Sequence, residues 1–184
     1  MCKKTTGAFA ECSIDYNKNS VEANEFYATV QNRFHYAISG RTAAEIIYRE
    51  ADAKKEFMGL HTWKSAPNGR ILKSDVVIAK NYLTEDKIKE LERTVSSYFD
   101  YIERQIERRQ TFRMNEFAES VNRFLEFNDY KILHGKGKVS HKQAEEKAFK
   151  EYEEFNKKQP IESDFDRLIK QIGLPPAPSE RGGD

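Results

Sequence analysis

Six apolar residues recur in the middle of the chain at gaps of three and four residues. They are Ile88, Leu91, Val95, Tyr98, Ile102 and Ile106. This spacing places all of them on one narrow stripe of an α-helix. Such a stripe is typical of helices packed lengthwise, because each side chain fits between side chains of a neighbouring helix. The sequence therefore predicts a long helix, beginning near Thr84, at the centre of a helical bundle.

Signals for further helices flank this stripe. From Val21 apolar residues recur with helical spacing, and Gly40 is placed to end that helix. The pairs Thr42 with Glu45 and Ser140 with Gln143 are capping boxes, which predict two more helix starts. Two other helical patterns consist of Met114, Phe117, Val121, Phe124 and Leu125, and of Phe165, Leu168, Ile169 and Ile172. We expect an all-α fold, a single-domain helical bundle.

One long stretch, about residues 57–75, has no periodicity of either helix or strand. The run from Pro67 to Gly69 predicts a tight turn. A loop of this length inside a compact domain is usually functional or ordered by its own packing. It carries the only tryptophan, Trp63, which has enough apolar area to order the loop. We expect the loop to fold over the segment 73–82, leaving Asp75, Lys80 and Asn81 near its rim.

The chain divides into three parts by composition. Residues 1–20 are polar and aperiodic, which predicts an irregular N-terminal segment. Residues 21–172 carry the helical patterns, and residues 173–184 are rich in proline and glycine, which predicts a disordered tail. A chain of 184 residues is long enough to bury a core without disulfides or metals.

The balance of charges indicates which partners the protein can bind, and the two cysteines indicate the cellular compartment. The 31 basic residues nearly cancel 30 acidic ones, so we expect only weak binding of nucleic acid by this region. Cys2 and Cys12 read as free thiols of a reducing compartment, and neither a membrane-spanning run nor a signal peptide is evident. The expected location is the cytoplasm, with no membrane association. No motif predicts a cofactor.

Several stretches of sequence resemble a known family. They are residues 27–32 (YATVQN), 42–45 (TAAE), 51–53 (ADA), 58–60 (MGL), 73–76 (KSDV), 78–83 (IAKNYL) and 137–141 (GKVSH), together with Trp63. With these stretches the chain resembles the RhuM family of bacterial virulence-associated proteins across roughly residues 13–172. The resemblance implies a bacterial, often mobile-element context without an established activity. It also implies that this chain corresponds to the C-terminal part of such proteins, without their N-terminal helix-turn-helix-like segment.

One segment concentrates the candidate site residues. Polar side chains alternate with apolar ones near residues 73–82, and two charged residues lie where the preceding helix ends. The candidates for a ligand or partner site are Asp52, Lys55, Trp63, Lys73, Asp75, Lys80, Asn81 and Tyr82. Convergent polar groups beside a structured loop are typical of binding sites. The favoured interpretation is nevertheless a polar network that only holds the loop in place, because buried polar groups are normally just satisfied by hydrogen bonds.

Two functions from different classes remain open. The preferred one is a helical interaction or regulatory domain that is non-catalytic by itself and binds a protein partner or a second copy. Nucleic acid would then bind weakly, or through the missing N-terminal segment. The alternative is a toxin-like or nucleic-acid-processing enzyme using Asp52, Asp75 and Lys80. Two carboxylates with a lysine are the residue types of metal-dependent phosphodiester chemistry.

Two weaker patterns complete the set of candidates. The loop that carries Lys136, Lys138 and Ser140 runs into a predicted helix start, where backbone amides and lysines bind anions. A solvated turn whose glycines supply positive φ is the favoured interpretation. The four histidines lack the spacing of metal ligands, so no metal site is predicted.

Overall fold

The computed structural model describes residues 21–108 and 114–159. Five α-helices lie in this part of the chain: α1 (Val21–Ser39), α2 (Ala43–Glu50), α3 (Glu85–Glu107), α4 (Met114–Phe127) and α5 (His141–Asn156). Two short 3-10 turns, Glu56–Gly59 and Ala79–Tyr82, lie between α2 and α3. The described residues contain no strand, so the predicted all-α fold is confirmed. The predicted segments 1–20 and 173–184 and the helix near 165–172 lie outside the described residues.

The apolar stripe of α3 forms the centre of the core. Leu91 is buried, and Tyr98 and Ile102 have no exposed surface, while Ile88 and Val95 are half-buried. The side chain of Ile106 lies outside the described residues. The ring of Tyr98 meets Phe34 of α1 and Phe124 of α4 edge to face, at centroid distances of 5.5 and 5.4 Å. Helices α1, α3 and α4 therefore pack around one aromatic cluster.

The helix ends follow the signals in the sequence. Gly40 has a φ of +70°, and its N–H donates to the carbonyl oxygen of Tyr36 at 2.7 Å, which ends α1. Both capping boxes are present, at Thr42 for α2 and at Ser140 for α5. Because capping is decided by residues three positions apart, these ends are fixed locally.

Helices α2 and α5 form a second layer of contacts. Helix α2 packs against α5 and against the Ala79–Tyr82 turn. The buried faces consist of Ile46 and Ile47 on α2 and of the small residues Ala144 and Ala148 on α5. Small side chains at these positions let the two helices approach closely.

The irregular stretch is longer than predicted, extending from Ala51 to Thr84 instead of about 57–75. At the start, Ala51 takes an extended conformation that ends α2. At the end, the apolar run Val76–Ala79 forms turns in which Val76 and Ala79 are buried and Ile78 is exposed. We call residues 51–84 the ordered segment.

Candidate functional site

Trp63 closes the loop of the ordered segment upon itself. Its side chain is 8% exposed, and its indole Nε1–H donates to the carbonyl oxygen of Gly69 at 2.7 Å. Met58, Leu60 and Ile71 are buried in the same core cluster. The expected burial of Trp63 is confirmed, and the loop is held by an apolar centre and a buried hydrogen bond.

A buried carboxylate links the loop to the segment beneath it. Asp75 is 2% exposed, and its Oδ2 accepts from the N–H of Leu72 at 2.8 Å, while Oδ1 accepts from the N–H of Lys64 at 3.3 Å. The Asn81 amide Nδ2 donates to the carbonyl oxygen of Asp75 at 2.9 Å. The hydroxyl of Tyr82 donates to the carbonyl oxygen of Val76 at 2.8 Å. Asp75 and Asn81 therefore lie buried beneath the loop and not at its rim, where we expected them.

The charged candidates each have a partner outside this network. Lys80 Nζ binds Oε1 of Glu92 on α3, and Lys55 Nζ binds Oε2 of Glu50 at 2.9 Å. Lys73 Nζ lies 4.4 Å from the ring centroid of Phe149 on α5. Asp52 Oδ1 accepts from the backbone N–H of Lys54 at 2.9 Å.

The three residues of the enzyme hypothesis are consequently not joined to one another. In residues 21–108 and 114–159, no hydrogen bond or ion pair connects Asp52, Asp75 and Lys80. That part of the chain also contains no group of three or more His, Cys, Asp and Glu residues that could hold a metal ion.

Helix α5 and the turn that follows it anchor the ordered segment through residues that the sequence analysis did not single out. Oε2 of Glu151 accepts from the N–H of Ala53 at 2.9 Å, and Oε1 of Gln159 accepts from the N–H of Ile71 at 3.0 Å. Arg70 donates to Oδ1 of Asn156 at 2.7 Å. These bonds join residues more than 80 positions apart, which no local pattern reveals.

A cleft of about 550 Å³ opens beside the loop, and we call it the Phe57–Trp63 cleft. Its walls include Glu50, Lys55, Glu56, Phe57, His61, Trp63 and Pro67. The ring of Phe57 lies on Trp63 at a centroid distance of 5.0 Å, and Phe57 remains 44% exposed. The cleft thus has an aromatic wall that solvent reaches, with carboxylates at its edge.

The backbone under this wall is unusual. Phe57 and Met58 have φ values of 48° and 58°, in the left-handed region that side chains larger than Asn rarely adopt. Gly59 follows with a φ of +82°, and a Cβ there would lie 2.4 Å from the carbonyl oxygen of Glu50. Met58 has no exposed surface, so its burial holds the turn while Phe57 points outward onto Trp63. Nothing in the sequence signals this conformation, because neither Phe57 nor Met58 is glycine or asparagine.

A second cleft, of about 570 Å³, contains the glycine loop with Lys136, Lys138 and Ser140. Its other walls come from α1 and the start of α2. Three of the stretches that resemble the family, YATVQN, TAAE and GKVSH, contribute residues to it.

A carboxylate of the chain itself already accepts one backbone N–H of this loop. Oε1 of Glu45 accepts from the N–H of Lys138 at 2.7 Å, and its Oε2 accepts from the N–H of Thr42 at 2.9 Å. Burial raises the pKa of Glu45, but the hydrogen bonds from Lys138 and Thr42 outweigh it and leave this pKa below its usual value. At the start of α5, Oε1 of Gln143 accepts from the N–H of Ser140, and Oγ of Ser140 accepts from the N–H of Gln143. The loop is thus bound to an internal carboxylate, which favours the interpretation as a structural turn.

The fold and these clefts define a class: an all-α domain whose long ordered segment carries an aromatic cleft. The sequence profile of the virulence protein RhuM family matches residues 1–163. This chain belongs to that family, as the resemblance indicates. No curated protein and no solved structure matches it. Among the described helices, none combines the length and the apolar character that crossing a membrane requires.

Proposed function

We propose that this chain is a helical protein-interaction domain, non-catalytic by itself, and that the Phe57–Trp63 cleft is its docking surface. The exposed aromatic ring on a left-handed backbone carries the proposal. Such a conformation costs a bulky residue roughly 1–2 kcal/mol, which asparagine or glycine largely avoids. Strain of this kind clusters at binding sites, and aromatic anchors dominate protein interfaces. An exposed phenylalanine at the strained position is therefore better explained by recognition than by packing.

The hydrogen-bond partners of three candidate site residues support the same proposal. Asp75 accepts two backbone N–H groups, and Asn81 and Tyr82 donate to backbone carbonyls of the same segment. These bonds order the floor of the loop that presents Phe57 and Trp63. Groups engaged in this way stabilise a surface and are not free to transfer protons or hold a metal. The proposal places the domain in the cytoplasm, where the two thiols stay reduced.

The test uses the single tryptophan as a reporter inside the cleft. A random peptide library is panned against the immobilised full chain, and binding of the enriched peptides is followed by Trp63 fluorescence. Phe57→Asn removes the ring but suits the left-handed backbone, so the free energy of unfolding should change by no more than about 1 kcal/mol. We expect this variant to bind the peptides about 30-fold more weakly, the effect of losing an aromatic anchor worth about 2 kcal/mol.

A matched control removes an exposed ring elsewhere. Phe127 on α4 is 88% exposed and does not line the cleft. Phe127→Ser should bind the same peptides with unchanged affinity. The proposal is wrong if no peptide is enriched, or if Phe57→Asn binds as well as the unmodified chain.

A further inference from the structure

We propose that the Phe57–Trp63 cleft recognises a basic side chain, arginine in preference to lysine, in a segment of a partner protein. This inference rests on the proposed function, because it assumes that the cleft docks a protein. It adds the chemical class of the residue that enters the cleft. Two independent features of the wall carry it, an unpartnered carboxylate and an open aromatic face.

The carboxylate is that of Glu56. The charged residues among those that line the cleft are Glu50, Lys55 and Glu56, and Nζ of Lys55 is held by Oε2 of Glu50 at 2.9 Å. Glu56 lines the cleft and is exposed, and in the described part of the chain it has no hydrogen bond or ion pair. The charged lining residues therefore carry one more negative than positive charge, and the carboxylate of Glu56 is the one left without a cation. It attracts a cation and repels the phosphates of nucleic acid.

The aromatic face is that of Phe57. Trp63 covers part of the ring at 5.0 Å, and 44% of Phe57 remains exposed. A cation within about 6 Å of such a ring is attracted by its quadrupole. Within residues 21–108 and 114–159 this contact occurs twice, with Lys73 over Phe149 at 4.4 Å and Lys147 over Tyr48 at 4.9 Å. At Phe57 no cation of the described residues takes that place.

Arginine combines both contacts better than lysine does. Its planar guanidinium stacks on a ring and at the same time donates two parallel hydrogen bonds to one carboxylate. Glu56 and Phe57 are consecutive residues on one edge of the cleft, which suits a group that makes both contacts together. The lysine ammonium is a compact charge that meets only one of these requirements well.

The experiment compares peptides that differ at a single position. Three pentapeptides, acetyl-Ala-Leu-Xaa-Leu-Ala-amide, carry arginine, its uncharged isostere citrulline, or glutamate at Xaa, and Trp63 fluorescence of the full chain reports binding. We expect arginine to bind about tenfold or more tightly than either of the others, and also more tightly than lysine in a fourth peptide of the same series. Glu56→Gln should remove most of that preference, and Glu56→Lys should reverse it in favour of glutamate. Glu126→Gln, an exposed carboxylate of α4 outside the cleft, should leave it unchanged.

Three other results would contradict the basic ligand, the docking function, or both. Equal binding of the arginine and citrulline peptides means an apolar cleft, which overturns this inference and leaves the proposed function standing. Absence of binding by all three peptides, while panned peptides bind in a Phe57-dependent way, also overturns the inference alone. Tighter binding of a single-stranded oligonucleotide than of the arginine peptide, lost in Phe57→Asn, overturns both the basic ligand and the protein-docking function.

Discussion

At the scale of single residues, the ordered segment depends on buried polar side chains that form hydrogen bonds with the backbone. The carboxylate of Asp75 is the clearest case, since it accepts from Leu72 and Lys64 in a position that is 2% exposed. A buried N–H that loses its acceptor costs free energy comparable to the desolvation of the group. Asp75 thereby contributes to the position of Trp63, because Lys64 follows Trp63 directly in the chain.

We expect Asp75→Ala to lower the free energy of unfolding by roughly 2–4 kcal/mol, because it strands two backbone amides. Asp75→Asn should cost less, since its amide oxygen still accepts one of the two bonds. Urea denaturation followed by circular dichroism measures both changes. Asp100→Ala, at an exposed position of α3, is the control and should change stability by less than about 0.5 kcal/mol. If Asp75→Ala is as stable as the unmodified chain, the carboxylate is not needed for folding and is again a candidate for a direct role in function.

At the scale of elements, regular helices and the ordered segment differ in how their structure is encoded. The stripe of α3 and the two capping boxes are local signals, and the sequence predicts the helices that they define. The conformation of Phe57 follows instead from the burial of Met58 and the approach of Gly59 to Glu50, which are contacts between separate turns. The anchors Glu151 on α5 and Gln159 just after it are similarly distant in sequence from their partners. The sequence therefore indicated the ordered loop and Trp63, but not the cleft beside them.

The stripe of α3 gives an element-scale prediction. Ile102 has no exposed surface, so Ile102→Ala should lower the free energy of unfolding by roughly 2–5 kcal/mol, the range for truncating a buried aliphatic side chain. Ile88 lies in the same stripe but is half-buried, and Ile88→Ala should cost clearly less. Chemical denaturation of the two variants side by side tests the register of the helix. Equal losses would mean that the stripe is rotated from its assigned position.

At the scale of the whole molecule, the cleft is supported from two sides. Lys80 joins the ordered segment to Glu92 of α3, while Arg70 and Ile71 are tied to the end of α5. The packing of α1, α3 and α4 around Tyr98 and the contact between α2 and α5 therefore both position the segment. Any condition that loosens the helices should also loosen the cleft, so stability and binding are coupled through the fold.

One buried group makes that stability depend on pH. His35 of α1 has its Nδ1 buried without a hydrogen-bond partner among the described residues, and burial lowers the pKa of His35 from 6.5 to about 4. Because the folded pKa is below the unfolded one, the unfolded chain binds more protons between pH 6.5 and 4. The stability that neutral His35 contributes is therefore present above pH 6.5 and is lost as the pH falls towards 4.

We expect this loss to reach at most roughly 3–4 kcal/mol, from the difference between the two pKa values. Urea denaturation at pH 7.0, 5.5 and 4.5 measures the loss in the unmodified chain and in His35→Gln, which cannot be protonated. Carboxylates with a lowered pKa, such as Glu45, also lose their stabilising effect as the pH falls. This loss is the same in both proteins. The free energy of unfolding should fall more steeply with decreasing pH in the unmodified chain than in His35→Gln, and the difference is the contribution of His35. Trp63 fluorescence in the same samples reports whether the cleft opens as the chain loses stability. Parallel stability curves for the two proteins would mean that His35 is hydrated in the folded state.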